Sequence, residues 1–558
     1  MQLSVPALLR RAASLFPHKP IVSREADGSI AQTTYGACLA QSRRLAAALR
    51  ALGVGPGDRV ATFCWSHQRH LQAFYAVPAL GAILHTLNVR LAADELAFAI
   101  TDADDAVVIV DADLWPAFEP VRPRIGDRRV VVIADGGDVP AGTLDHGTLI
   151  AAHAPHDDDP DIDEQAGALL CHTSGTTGRP KGVLSSHRAL VLHAMAQALP
   201  DMFDLSERSI VLPAAHMFHA NAWGLPFSCA LVGASQVWPG RRLDAAGLVE
   251  LFASERVTHT AGVPTIAHDL LHHLDAHPDR DVSALRVMLV GGAALPEATI
   301  RAFAERHGVR LLHSWGMTET GPLGTLSRLP SELAGAPPDA QYAWLATQGR
   351  PAPLVEIRAR AGDGAMVPWD GATPGELEVR GPWIASAYVG AAAVHSPSSA
   401  DVAWTSDGWL RTGDVVTIGP TGQVSVTDRM KDLVKSGGEW ISSVALEALL
   451  LEHPGVAEVA VIATPHERWG ERPLAVVVPV RDRPAPTLAE IRAHLAGRVP
   501  AWWAPDALVL MERLPRTASH KVRKDLLRQG TRDTRPVTRE SGDEGQEKGQ
   551  GTGDQAAE

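Results

Sequence analysis

The sequence predicts an α/β protein: a large N-terminal domain of sheets covered by helices, followed by a small α+β C-terminal domain. Three observations carry this expectation. From Tyr35 onward, stretches with apolar residues at helical spacing alternate with short apolar runs of strand length, and such alternation gives mostly parallel sheets covered on both faces. After residue 428 the texture changes to helix, strand, strand, helix and strand within roughly 100 residues, the size of a small independent domain. The 558 residues, 45% hydrophobic and 21% charged, are ordinary globular material with enough length for several cores. The boundaries expected are 1–428, 429–530 and a disordered tail at 531–558, where aromatics are absent and apolar residues too sparse to offset ordering entropy.

In chain order, MQLSVPALLRRAASLFPHKP reads as an amphipathic helix; it lacks the uninterrupted apolar core and small-residue cleavage site of a signal peptide. YGACLAQSRRLAAALRALG is a helix ended by Gly53, DRVATFCW a strand, HLQAFYAVPALG a helix and AVVIV a buried strand. Residues 135–165, rich in Gly, Pro and Asp, read as a surface connection. The alternation resumes with strand ALLCHT, a glycine-rich loop and a helix from His187, and later with strand VMLV, a helix from Pro296 and strand LLHSW. In the C-terminal region VALEALLLEHPG and LAEIRAHLAG are helices, while VAEVAVIA, LAVVVPV and ALVLME are strands.

Charge narrows the function. The 51 Lys and Arg against 64 Asp and Glu give a net charge of -13, with no block of basic residues to mark a nucleic-acid surface. No apolar run reaches membrane-spanning length. Cys38, Cys64, Cys171 and Cys229 form no CxxC pair and suggest no disulfide framework. The expectation is a soluble, cytoplasmic protein. His268, His272, His273 and His277 lie at helical spacing but lack an HExxH pattern, so an exposed helix is the better reading than a metal site. Lysine is rare: seven stand at 19, 181, 431, 435, 521, 524 and 548, among 51 basic residues. An ammonium is a compact point charge that a planar guanidinium does not replace, so the positions of these lysines carry information.

Lys181 closes the densest local signal, Cys171-His-Thr-Ser-Gly-Thr-Thr-Gly-Arg-Pro-Lys-Gly182. Gly175, Gly178 and Gly182 let backbone N–H groups approach phosphate oxygens, and Thr173, Ser174, Thr176 and Thr177 add hydroxyl donors. Pro180 before the lysine and Gly182 after it exclude a Walker A loop.

This string resembles the phosphate loop of the adenylate-forming superfamily, which contains acyl-CoA synthetases, luciferases and peptide-synthetase adenylation domains. Further resemblances follow in order: His313-Ser-Trp-Gly-Met-Thr-Glu319, Trp409-Leu-Arg-Thr-Gly-Asp414, Asp428-Arg-Met-Lys-Asp-Leu-Val-Lys-Ser-Gly-Gly-Glu439 and Pro515-Arg-Thr-Ala-Ser-His-Lys521. Met217-Phe-His-Ala-Asn-Ala-Trp-Gly-Leu-Pro-Phe227 and Lys435-Ser-Gly-Gly-Glu-Trp-Ile-Ser-Ser443 are most similar to bacterial medium-chain fatty acyl-CoA and methylmercaptopropionyl-CoA ligases. His520 stands where the family usually has glycine, and His216 where these ligases usually have proline.

The resemblance implies an acid–thiol ligase that consumes ATP and CoA with Mg²⁺ as cofactor. A fatty or aryl acid would attack ATP to give an acyl-adenylate and pyrophosphate, and the CoA thiol would then release AMP. It implies catalytic roles for Lys521, Thr318, Glu319, His219 and Lys435. Thr318 would contact the α-phosphate, and Glu319 and Thr176 would hold Mg²⁺. Nucleotide contacts would come from Thr173, Ser174, Gly175, Thr176, Thr177, Gly178, Lys181, Gly292, Ala293, Trp315, Asp414 and Arg429, with Trp315 stacking on adenine and Asp414 holding the ribose. Gly437 and Gly438 would border the pantetheine tunnel. The small domain would be mobile and turn about Lys431. Trp223 and Gly262-Val-Pro264 would line the acyl pocket. The alternative is an adenylating enzyme with a non-CoA acceptor, such as an ATP-dependent diazotase that activates nitrite for an arylamine. The expected partners are small molecules, with no nucleic acid and no membrane span, and a homodimer remains open.

Overall fold

The computed structural model describes residues 2–134, 136–155, 161–173, 181–389, 403–437, 439–481, 483–516 and 522–533. The chain divides at Lys431 into two compact units. Among the described residues the larger unit holds three sheets.

A nine-stranded sheet runs in the order Arg350–Pro351, Thr325–Leu326, Arg310–Trp315, Val287–Gly291, His259–Gly262, Ile210–Pro213, Ser235–Trp238, Pro20–Arg24 and Ile30–Thr34. Its interior pairs are parallel and its two ends antiparallel. An eight-stranded sheet runs Tyr388–Val389, Gly182–Ser186, Gly167–His172, Ile83–Thr86, Arg59–Phe63, Asp105–Asp111, Arg129–Ile133 and Leu144–Asp145. Strands buried on both faces read as continuous Val and Ile runs, and Val107, Val108, Ile109 and Val110 are all but excluded from solvent. A four-stranded antiparallel sheet, Glu356–Arg360, Gly375–Arg380, Leu410–Ile418 and Val424–Arg429, carries the last strands before the boundary.

Helices start and stop where local chemistry says they should. Thr34 accepts a hydrogen bond from the Ala37 N–H to open helix Tyr35–Ala51, and Gly53 at φ +93 ends it. The strands expected at 58–65, 106–110, 287–290 and 311–315 are present as Arg59–Phe63, Asp105–Asp111, Val287–Gly291 and Arg310–Trp315, and the helix expected from Pro296 as Glu297–His307.

Two regions differ from expectation. The helix expected from His187 is present, but an unexpected strand, Gly182–Ser186, precedes it, antiparallel to Gly167–His172 with His172 opposite Gly182. Gly182 is required because a Cβ there would lie 2.9 Å from the Val389 carbonyl oxygen. Ser186 then caps helix His187–Ala198. The presumed surface connection also contains strand Leu144–Asp145 and helix His146–Ala151, which the Asp145 carboxylate caps at the Thr148 N–H.

The smaller unit is a five-stranded sheet of Val434–Ser436, Glu439–Ile441, Val456–His466, Gly470–Pro479 and Ala507–Leu510 with helices Ser443–Leu451 and Leu488–Leu495. Val434, Leu446, Val461, Val477 and Ile491 form its core. Helix Lys524–Asp533 runs three residues past the expected start of the tail at 531, and 534–558 lie outside the described residues. Among the described residues no helix is long and apolar enough to cross a membrane.

Candidate active site

Thr173, Gly292 and Trp315 of the larger unit sit at or just past strand ends, the position at which open α/β sheets bind ligands. Strand Gly167–His172 delivers Thr173, whose N–H donates to the Lys181 carbonyl at 2.9 Å. The Lys181 N–H donates back to Thr173 Oγ1 at 3.2 Å, so the neck of the phosphate loop is closed by reciprocal bonds. Ser174, Gly175, Thr176, Thr177 and Gly178 lie outside the described residues.

Strand Arg310–Trp315 ends at Trp315, and Gly316 and Met317 lead into the turn Thr318–Thr320. Gly316 has no alternative: a Cβ would fall 1.7 Å from the Pro322 carbonyl oxygen. The turn leaves Thr318 half-buried and buries Glu319, whose Oε1 accepts a 2.6 Å hydrogen bond from the Tyr388 hydroxyl. Burial and the neighbouring Glu319 carboxylate push the Tyr388 phenol far above its usual range, so it stays protonated and donates. The Lys181 ammonium lies 5.0 Å from the Tyr388 ring centroid, a cation–π distance.

Asp414 is the second centre. On strand Leu410–Ile418 it faces Arg429 in register across the antiparallel pair. Its Oδ1 lies 2.9 Å from Arg429 Nε and its Oδ2 accepts the Trp315 indole N–H at 2.8 Å. The carboxylate is nearly buried yet doubly paired, the condition under which burying a charge is tolerable. Trp315 lies over Gly324, where a Cβ would come within 2.4 Å of the indole. Gly292 at φ +92 turns the chain after strand Val287–Gly291, and the Ala293 carbonyl lies 3.3 Å from His313 Nε2.

His219 opens an unusual turn. Ala220, Asn221, Ala222, Trp223 and Gly224 all have positive φ, from 42 to 75. Four non-glycine residues in the left-handed region cost about 1–2 kcal/mol each, so the surroundings must hold them. Asn221 Oδ1 accepts from Thr86 Oγ1 at 3.4 Å, and the Trp223 carbonyl accepts from Gln197 at 2.9 Å. Gly224 lies against buried His193, where a Cβ would be 2.5 Å from the ring. His216, the departure noted above, stacks on Phe218 at 4.5 Å and lies against Trp65.

A buried polar chain at strands Ile83–Thr86 and Gly167–His172 was not foreseen. Asp105 pairs with His85 Nδ1 at 2.8 Å, His85 Nε2 lies 2.8 Å from His172 Nδ1, and His172 Nε2 lies 3.5 Å from Asp102. Burial, then His85, lowers the His172 pKa to about 4, while burial raises that of Asp105.

The smaller unit carries Lys435 and Gly437. Lys435 is exposed, with its ammonium 5.4 Å from the Trp440 ring. Gly437, at φ +61, donates its N–H to the Trp469 carbonyl at 2.8 Å, and a Cβ there would lie 2.9 Å from the Trp469 ring. Gly438 and Lys521 lie outside the described residues. Among the described residues no three His, Cys, Asp or Glu side chains could hold a metal, and His268 and His272 pair edge to face on an exposed helix.

Residues 9–389 match the family model described as AMP-binding enzyme, and 445–521 match the one described as AMP-binding enzyme C-terminal domain. This chain belongs to the AMP-binding enzyme family. It is 44% identical to a long-chain-fatty-acid–CoA ligase of Thermus thermophilus, with 95% of each chain covered. A medium-chain-fatty-acid–CoA ligase of Ectopseudomonas oleovorans is 38% identical over 95% of this chain and 96% of its own. A 3-methylmercaptopropionyl-CoA ligase of Ruegeria pomeroyi is 39% identical over 95% and 98%. Among solved structures, anthranilate CoA ligase AuaEII in complex with anthranoyl-AMP superposes with a TM-score of 0.84 at 25% identity, covering 95% of this chain and 98% of that one. The amide bond synthetase McbA of Marinactinospora thermotolerans gives 0.80 at 26%, covering 94% and 99%. This AMP-binding enzyme is thus a ligase in fold and class, with a large N-terminal and a small C-terminal domain.

Tyr388, the left-handed turn and the buried His85–His172 pair were missed by sequence reasoning. A tyrosine in an apolar stretch and histidines in strands carry no motif; only their partners, distant in the chain, give them meaning.

Proposed function

We propose that this AMP-binding enzyme is an ATP-dependent acid–CoA ligase that activates a fatty acid as its acyl-adenylate and transfers the acyl group to CoA. One observation carries the reading: buried Glu319 and the phosphate-loop Lys181 meet at a single side chain, Tyr388. That arrangement suits a triphosphate, with the Asp414–Arg429–Trp315 cluster of the same unit for its nucleoside.

The fit to Mg²⁺ rests on the donor set. Glu319 is a buried carboxylate whose Oε1 is taken by Tyr388, and Thr176, the second residue proposed to hold the ion, carries a hydroxyl. Such hard oxygen donors suit a cation that takes one or two carboxylates and completes its shell with water and phosphate. When bound, Mg²⁺ would neutralise charge on the triphosphate.

Positioning and fixed charge supply most of the catalysis in phosphoryl and nucleotidyl transfer. The Asp414 carboxylate accepts from the ribose hydroxyls, using lone pairs that Trp315 and Arg429 leave, and Trp315 borders the adenine. Lys181 and the glycine-rich loop hold the β- and γ-phosphates. Thr318 contacts the α-phosphate, and His219 orients the attacking carboxylate. Lys521 bridges carboxylate and α-phosphate as pyrophosphate departs. In the second step the CoA thiol attacks the mixed anhydride, with Lys435, Gly437 and Gly438 beside the pantetheine and the small domain, 429–530, turning about Lys431. The names of the relatives support a fatty acid, and buried Phe218 and Trp223 supply apolar wall. A cytoplasmic location fits such substrates.

The test is mass spectrometry of products from ATP, Mg²⁺ and a panel of acids, with and without CoA, including nitrite with an aminobenzoate. An acyl-CoA with AMP supports the ligase. AMP release indifferent to CoA but dependent on an amine or nitrite would replace CoA with another acceptor.

A further inference from the structure

We propose that Tyr388 is a positioning residue of the adenylating site, a single side chain whose hydroxyl fixes the Glu319 carboxylate and whose ring face receives the Lys181 ammonium. The inference rests on the ligase reading above and adds a residue to it.

The geometry assigns the two ends of the tyrosine separate tasks. Its O–H donates to Glu319 Oε1 at 2.6 Å, which fixes the carboxylate's rotation and directs the other oxygen away from the phenol. The Glu319 backbone is tied to the same segment, because the Ala385 N–H donates to the Glu319 carbonyl at 2.8 Å. Backbone and carboxylate of Glu319 are thereby both tied to the segment that carries Tyr388.

The ring face lies 5.0 Å from Lys181 Nζ, and its edge contacts are supplied by Trp404 at 5.0 Å, itself anchored through its indole N–H to the Ala385 carbonyl at 2.7 Å. Tyr388 is also in the strand that pairs with Gly182–Ser186, opposite Val183, so the segment is hydrogen-bonded to the strand that follows Lys181. A neutral phenol between an anion and a cation keeps the two from collapsing into a direct ion pair. Such a pair would take Glu319 from its cation and Lys181 from the phosphates. The phenol meets a carboxylate oxygen at 2.6 Å, so it is the donor of this pair and serves to position Glu319.

The experiment uses the full chain with Tyr388→Phe, which retains the ring and removes only the hydroxyl. Mn²⁺ binding in the presence of ATP and absence of acid is read by electron paramagnetic resonance, alongside acyl-adenylate formation and thioester formation from supplied acyl-adenylate. The expected result is 5- to 10-fold weaker Mn²⁺ binding and adenylation slowed 10- to 100-fold, with thioester formation from supplied adenylate within twofold of wild type. Unchanged Mn²⁺ affinity and adenylation would overturn the assignment. A second comparison separates positioning from folding: in a Glu319→Gln background, Tyr388→Phe should cost no more than twofold further, and a fully additive loss would also overturn it. Tyr388→Leu should in addition raise the KM for ATP above that of the Phe variant; equality of the two would remove the role of the ring. Wild-type protein that releases no pyrophosphate with any acid would instead remove the ligase reading itself.

Discussion

Trp315 and Asp414, 99 residues apart in the chain, are joined by a 2.8 Å hydrogen bond from the indole N–H to the carboxylate, with both side chains nearly excluded from solvent. Trp315 ends a strand of the nine-stranded sheet and Asp414 lies within the four-stranded one, so the bond ties together two sheets of the larger unit. With Arg429 on the other oxygen, the carboxylate is held in one orientation before any ligand arrives.

Trp315→Phe removes the indole donor but keeps an aromatic ring over Gly324. Loss of a hydrogen bond to a buried charge costs about 2 kcal/mol. The denaturation midpoint should fall accordingly, and the KM for ATP should rise by up to about 30-fold, the factor equivalent to that energy. Chemical denaturation and ATP titration of the variant check both. A changed midpoint with an unchanged KM would make Trp315 a purely structural partner.

Gly224 should tolerate no side chain. At φ +75 an alanine is strained by about 1–2 kcal/mol, and its Cβ would meet the His193 ring at 2.5 Å. Gly224→Ala should lower stability and raise the KM for the acid more than that for ATP. Acid and ATP titrations of the variant would show this; equal effects on both substrates would count against a local role for the turn.

How much of this was legible in sequence depended on how each feature is encoded. The phosphate loop was visible because glycine, hydroxyl residues and a scarce lysine concentrate in one short window, whereas the Thr318–Glu319 turn and Asp414 were picked out by resemblance to family motifs. The strand Gly182–Ser186 was not, since GVLSS is short and half polar and its identity comes from pairing with Gly167–His172. Nor was the left-handed turn, because only Asn221 and Gly224 favour positive φ while Ala220, Ala222 and Trp223 argue against such a conformation. Tyr388 and the His85–His172 pair acquire meaning only from residues 69 and 87 positions away.

Acid should weaken the larger unit well before carboxylates titrate. Burial lowers the pKa of His70, His146, His172, His187, His193 and His259 from 6.5 to about 4. Between pH 6.5 and 4 the unfolded chain binds protons that the folded chain does not, so stability falls as pH drops through that window and levels off with respect to these groups below it. Each histidine contributes on the order of 1–3 kcal/mol across the window. Urea midpoints measured at pH 7.5, 6.5, 5.5 and 4.5 should decline steadily below 6.5. His193→Gln should flatten the slope by about one proton. A midpoint constant from pH 7 to 5 would contradict the assignment of these rings as neutral and buried.

The two half-reactions should separate by mutation. Lys521→Ala removes the ammonium proposed to bridge carboxylate and α-phosphate, so adenylate formation should fall by about 100-fold or more, the scale of a lost charge stabiliser, while ATP still binds. Gly437→Ala acts elsewhere. Its backbone sits at φ +61 and its new Cβ would press on Trp469 at 2.9 Å, narrowing the passage proposed for pantetheine. Adenylation should then proceed near the wild-type rate while the KM for CoA rises and thioester formation slows. Rapid-quench measurement of acyl-AMP and acyl-CoA in both variants distinguishes the cases. If Gly437→Ala slowed both steps equally, the glycine would be a folding requirement of the Trp469 contact and not part of the thioester-forming site.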